Sequence, residues 1–435
     1  MRVRSLVPLP LLLSAVAALP AAPATAEVTC QGRPATIVGD PAEPTVGTPG
    51  PDVIVSNGSK VVDARGGADR VCLTTGTYYR LSAGAGDDTV TMDAAGYSDA
   101  EIDLGTGDDT LTSGAGADVV DGGGGDDTVV TGGGPDEVTV GARTGPPDTA
   151  VVDTGDGDDR VTLQPGGLDA AGSMVAGPGD DELRLMHTRL DDGPTVLDID
   201  VPHRRITRAG EVQLDGWAGF EAYRTDDRPF HAVGGLALTF TGSVVSERLE
   251  TSASDVDVDA RGGDDELALT LAQGTTGALV GASGRDRVVV LEGGRRAPAM
   301  SLDLSRGRLA RLQDARAVVR LYGIEDAAVR RGGSVLVGDR RANRLQSLCG
   351  TVRGLGGADV VRQGTVVEEA TRPLFFRPTS CPDGDRFRAD GGAGDDRLYG
   401  SYSPDVLLGG PGRDLAEGRA GRDRCEAERR ATCEA

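Results

Sequence analysis

Aspartates recur every nine residues at two places in this chain, as Asp109, Asp118, Asp127 and Asp136 and again as Asp396, Asp405, Asp414 and Asp423. In the first set each follows two glycines, at Gly105 and Gly107, Gly114 and Gly116, Gly123 and Gly125, and Gly132 and Gly134. Glycine reaches positive φ without steric cost, so Gly-x-Gly-x-Asp can curl tightly and turn carbonyl oxygens inward. The aspartate adds a carboxylate to the same point, and a cluster of hard oxygens suits Ca2+.

The elements that would carry these turns are legible in the same spacing. Residues 104–139 divide into LGTGDDTLT, SGAGADVVD, GGGGDDTVV and TGGGPDEVT, with an aliphatic residue in the eighth place at Leu111, Val120, Val129 and Val138. The residues around that place suffice for a short strand with one side chain facing a core. Two blocks make one coil of strand, turn, strand, turn, and blocks 18 residues apart stack on the same side. Residues 391–426 repeat the register as GGAGDDRLY, GSYSPDVLL, GGPGRDLAE and GRAGRDRCE, with Gly392, Gly394, Gly410, Gly412 and Gly421 in turn positions. Ser401, Ser403 and Arg419 stand there in place of glycine.

These blocks resemble the nonapeptides G-G-x-G-x-D-x-U-x of RTX (hemolysin-type calcium-binding repeat) proteins. The resemblance implies an all-β, right-handed parallel β-roll or β-helix solenoid, with calcium between same-side turns of successive coils. It pairs Asp109 with Asp127, Asp118 with Asp136, Asp396 with Asp414, and Asp405 with Asp423; the departures at Ser401, Ser403 and Arg419 weaken the last pair. It also implies an exported protein, and the opening TCQGRPATIVGD is similar to the N-terminal cap of exported actinobacterial repeat proteins. RTX exoproteins usually carry a C-terminal export signal, whereas this chain begins with an N-terminal one, so no toxin role is expected.

Residues 1–26 have the form of a secretory signal: Arg2 and Arg4, an apolar run broken by Pro8, Pro10 and Pro20, and a small-residue site at Ala24-Thr25-Ala26. The net charge of the chain is −23; this segment contributes two arginines and no acid, so the remainder carries −25. Such acidity argues against nucleic-acid binding. Aromatic residues are 3 %, and clustered carboxylates with so lean a core favour disorder unless a cation is part of the fold. Six cysteines follow the signal, and nearest-neighbour pairing gives 30–72, 349–381 and 425–433 among fifteen possible connectivities.

The chain divides into the signal (1–26), an N-terminal cap with degenerate repeats (27–80), a calcium-binding roll (81–186), two degenerate cassettes (187–390) and a C-terminal roll with a disulfide cap (391–435). Within 81–186 the turns at Asp88, Asp159 and Asp181 recur at intervals of about one coil, as do Asp265 and Asp286 further on. Their metal binding is left open, because calcium needs six to eight oxygens from neighbouring turns. The cassettes match as LDIDV with SLDLS, GFEAY with GIEDA, and GSVVSERL with GDRRANRL, and read as coils of the same solenoid.

No catalytic residues are assigned. The three histidines, His187, His203 and His231, lie in no HExxH, and no GxSxG elbow occurs. The expected product is a monomeric, secreted, non-enzymatic calcium-binding protein without a membrane span, structural or adhesive, with a cell-surface or extracellular polymer as partner. The alternative is a carbohydrate-active lyase or glycosidase on a parallel β-helix, whose paired carboxylates the aspartates would mimic.

Overall fold

A computed structural model describes residues 27–433 except 75, 77, 93–98, 142–147, 165–171, 187–195, 227–235, 272–274, 292–298, 313–317, 368–374, 378–380 and 382–385. The expected export signal lies outside the described residues. The described chain is an all-β solenoid with two walls. One wall is an open sheet of 18 parallel strands running from Thr45–Val46 to Arg429–Ala431. The facing wall has two parts: nine parallel strands from Ile37–Val38 to Trp217–Ala218, then 14 strands ending at Arg424–Glu426.

The strands are short because a turn interrupts the chain every few residues. Thr110–Thr112, Val119–Asp121 and Thr128–Val130 each bury only their middle side chain. Leu111 pairs with Val129 on one wall and Val120 with Val138 on the other, so aliphatic side chains form two columns, all at most 1 % exposed, that meet as the core. A lean chain can fill this interior because each coil adds only two inward side chains, and parallel neighbours bury both faces of each coil. On the outer face of the long wall Glu137, Arg160 and Glu182 stand side by side in register, as do Arg248, Glu266 and Arg287.

Each cassette carries the same antiparallel detour. Val196–Asp200 turns back as Arg205–Arg208 and again as Glu211–Asp215, and Met300–Asp303 turns back as Arg308–Arg311 and again as Val318–Tyr322. The first strand of each detour joins the coil that follows, at Ala237–Thr241 and Ser334–Val337. The chain then rejoins the coil before: after the first detour the next strand, Trp217–Ala218, lies on Ser173–Val175, and in the second the last strand, Val318–Tyr322, itself lies on Thr276–Val280. A single reversed strand is thus wedged between two parallel neighbours while the long wall passes uninterrupted.

Three disulfides close the chain as nearest-neighbour pairing predicts: Cys30 with Cys72, Cys349 with Cys381, and Cys425 with Cys433. Cys30 is fully buried on the hairpin Thr29–Cys30 and Arg33–Pro34, and Cys425 takes an aliphatic core place. Among the described residues no helix is long and apolar enough to cross a membrane.

Candidate metal centre

The turn aspartates form ladders along the corners of the solenoid. Before the nine-stranded wall, Asp52, Asp69, Asp88 and Asp109 each donate the backbone N–H to Oδ1 of the next coil's aspartate, ending at Asp127, over 2.7–3.1 Å. Before the long wall, Asp118 donates to Asp136, Asp136 to Asp159, and Asp159 to Asp181, each at 2.8 Å. In the C-terminal region Asp359 donates to Asp396, Asp396 to Asp414, and Asp405 to Asp423. All four aspartate pairs expected from the sequence are therefore brought together.

One oxygen of each accepting carboxylate is thereby used, whereas Asp118, at the head of its ladder, has both oxygens buried without a partner. The second, Oδ2, is buried without a hydrogen-bond partner at Asp88, Asp109, Asp118, Asp127, Asp136, Asp159, Asp181, Asp396 and Asp414, among others. Burying an unpartnered polar group is costly, and far more so when it is charged. Burial accordingly raises these acids, with neighbouring carboxylates of the ladder adding to the effect: Asp109, Asp127, Asp136 and Asp181 to about 7, Asp88, Asp118 and Asp396 to about 6. The accepted backbone N–H opposes the shift in most of these without cancelling it.

The glycines hold the turns in a shape no other residue fits well. Gly105 has φ +99°, and a Cβ there would stand 1.8 Å from the carbonyl oxygen of Gly84 in the coil before; Gly123 repeats this against Gly105. Successive turns therefore stack carbonyl groups closely. No three acidic, histidine or cysteine side chains converge among the described residues. An ion at these corners would draw at most two carboxylates and take its remaining oxygens from turn carbonyls, a donor set that suits a large hard cation such as Ca2+.

Asp405 behaves differently. Ser401 donates its backbone N–H to Oδ2 and its hydroxyl to Oδ1, the latter at 2.8 Å. Its carboxylate is satisfied by protein groups, as is that of Asp52 by the N–H and hydroxyl of Thr48.

With this geometry in view the comparison with known families is decisive at two places. Residues 103–138 and 390–425 each match the four-copy pattern of the RTX calcium-binding nonapeptide repeat. In these two segments the chain is similar to RTX calcium-binding repeats. No curated protein matches the chain.

The ladder of the long wall continues beyond the RTX segments through residues that carry no Gly-x-Gly-x-Asp signature. Asp181 donates to Glu221 Oε2, Glu247 to Asp265 Oδ1, Asp286 to Glu325 Oε2, Asn343 to Asp359 Oδ1, and Asp414 to Glu428 Oε2. The available signal was an acid or amide two places before an inward residue, as in Glu221 and Tyr223 or Glu247 and Leu249. A second ladder joins the preceding residues: Asp108 donates its N–H to Asp87, Asp126 to Asp108, and Arg285 to Asp264. Of the histidines, His203 pairs through Nδ1 with Asp200 at 2.7 Å on an exposed turn, and His187 and His231 lie outside the described residues.

Proposed function

We propose that this protein is an exported calcium-dependent solenoid whose folding is coupled to ion binding at stacked RTX corners, and that its role is structural or adhesive. The observation that carries the reading is the row of buried, unpartnered Oδ2 atoms on stacked turns. The ions would be held by Asp109 with Asp127, Asp118 with Asp136, and Asp396 with Asp414, aided by carbonyls of the turns containing Gly105, Gly107, Gly123, Gly125, Gly392, Gly394, Gly410 and Gly412. Calcium supplies the positive charge; the chain supplies prepositioned carboxylates and carbonyls from which water is excluded. Because the unfolded chain does not assemble these oxygens, binding adds directly to the stability of the folded state. Three disulfides suit an oxidising, calcium-rich exterior.

The deciding experiment is far-UV circular dichroism of residues 27–435, disulfides intact, titrated with calcium and then with chelator. The expected result is a cooperative gain of β signal that chelator reverses. A β spectrum indifferent to both would defeat the proposal.

One observation favours the alternative of a carbohydrate-active enzyme. A groove of about 440 Å³ on the long wall is lined by Glu101, Asp103, Asp121 and Glu137 with Arg80, and its carboxylates belong to strands, not to metal turns. Burial, and then Asp121, raise Asp103. Release of sugar or unsaturated ends from acidic or neutral polysaccharides, abolished by D103N/D121N, would establish that reading.

A further inference from the structure

The corners fall into two states distinguished by the residue four places before the acid. At Asp52, Glu247 and Asp405, and at Asn343, that residue is Thr48, Ser243, Ser401 or Asp339, and it donates its backbone N–H to the side-chain oxygen. At corners whose Oδ2 has no partner, the same residue is left-handed, as at Gly84, Gly105, Gly123, Gly132, Gly155 and Gly177. Gly114, before Asp118, is an exception among these glycines. Besides Arg419 (φ 74°), which precedes Asp423, four corners keep the left-handed state although the residue is not glycine: Arg65 (φ 71°), Arg261 (φ 66°), Ala282 (φ 66°) and Leu355 (φ 75°). They precede Asp69, Asp265, Asp286 and Asp359, whose Oδ2 atoms are again buried without a partner.

A side chain in the left-handed region strains the backbone, and a buried carboxylate oxygen with no donor adds a second cost. Thr48, Asp339 and Ser401 show that the fold has a cheaper alternative. Corners that bear both costs without glycine are best explained by a ligand that rewards the arrangement. Asp265 and Asp286 are the informative case. They are 2 % and 0 % exposed, stacked with the Asp265 N–H on Asp286 Oδ1 at 3.0 Å, and they lie outside both RTX segments. The ladder bounds them with Glu247, whose Oε1 accepts the Ser243 N–H while Oε2 is buried without a partner, and Glu325, which accepts the Asp286 N–H and pairs with Arg341 at 2.7 Å. Beside Asp286, Gly281 keeps space clear: a Cβ there would stand 2.3 Å from Oδ2.

We infer that the Asp265 and Asp286 corners hold a divalent hard cation, with calcium the fitting class, as an isolated site midway between the two RTX arrays. The inference rests on the calcium reading above and extends it to a part of the chain that the nonapeptide pattern does not reach. The same rule removes Asp405 from the ligands.

The test is the number of calcium ions bound per molecule of residues 27–435, disulfides intact, by equilibrium dialysis after chelator treatment. D265N/D286N is expected to bind one ion fewer than the parent, and D405N the same number. A parent that binds calcium while D265N/D286N keeps its full count overturns the site and leaves the RTX reading standing; a parent that binds none overturns both. Should D265N/D286N lose its β spectrum, S401G carries the test. Removing the serine lets the fourth residue before Asp405 turn left-handed, and one additional ion is expected. An unchanged count in folded S401G overturns the corner rule and the central site with it.

Discussion

An acid that is buried beside other acids titrates in the direction opposite to one held in a salt bridge, and this sets the pH behaviour of the protein. Asp109, Asp127, Asp136, Asp181, Asp265 and Asp359 are raised to about 7, first by burial and then by neighbouring carboxylates. In the unfolded chain such groups titrate near 4 (about 3.9). The metal-free fold therefore binds more protons than the unfolded chain, and its stability falls as pH rises from about 4 through 7. Circular dichroism of the chelated protein should show more β structure at pH 5 than at pH 8, with calcium restoring it at pH 8. Protons compete for the same oxygens, so calcium affinity should weaken as pH drops below about 7. A chelated protein with one spectrum across this range would show that these oxygens have other partners.

At the scale of the element, each coil touches only its neighbours. Leu398 is fully buried in Arg397–Tyr399, between Val361 and Ala416 in adjacent strands. Leu398→Ala should cost about 2–5 kcal/mol in denaturant unfolding. Hydrogen exchange should accelerate in Val360–Gln363 and Leu415–Glu417 and stay unchanged in Thr110–Thr112, because solenoid stability is a sum of local terms. The C-terminal disulfide closes only the segment from Cys425 to Cys433, a separation of 8 residues. Cys433→Ser should cost about 2–3 kcal/mol by loop-closure entropy. Its effect should appear as fraying of Arg424–Glu426 and Arg429–Ala431, read by the same exchange measurement, with the N-terminal coils protected as before. Salt bridges on the outer wall, such as Arg80 with Glu101, are too exposed to compensate for either loss.

The whole molecule joins two RTX arrays through a stretch in which some corners, such as Glu325 and Asn343, are satisfied by protein groups. Its net charge of −23 opposes compaction, and calcium at the arrays offsets that repulsion locally. Unfolding on calcium depletion should therefore proceed in more than one step. Hydrogen exchange at graded free calcium is expected to release the arrays at 104–139 and 391–426 before Met300–Asp303 and Ser334–Val337, where the ladder runs through Glu325 and Asn343. A single coincident transition for all strands would show instead that the arrays and cassettes are one cooperative unit.

The sequence by itself determined the period, and with it the solenoid. Nine-residue spacing places Leu111 over Val129 and Asp109 under Asp127 whatever the rest of the chain does, because side-chain direction and turn chemistry are local. It left the three disulfides among fifteen connectivities, of which the structure has the nearest-neighbour set. What only the tertiary structure decided is which carboxylates are left wanting a ligand. Asp405 keeps the nine-residue register yet is satisfied by Ser401, while Asp265 and Asp286 lack the full glycine pattern yet bury an oxygen without a donor. Glu221, Glu325 and Glu428 join the ladder from segments that read as irregular, because the antiparallel detours and the terminal cap bring them to the corner. A residue type fixes what a group can bind, but its unmet need depends on the torsion four residues away and on the coil stacked against it.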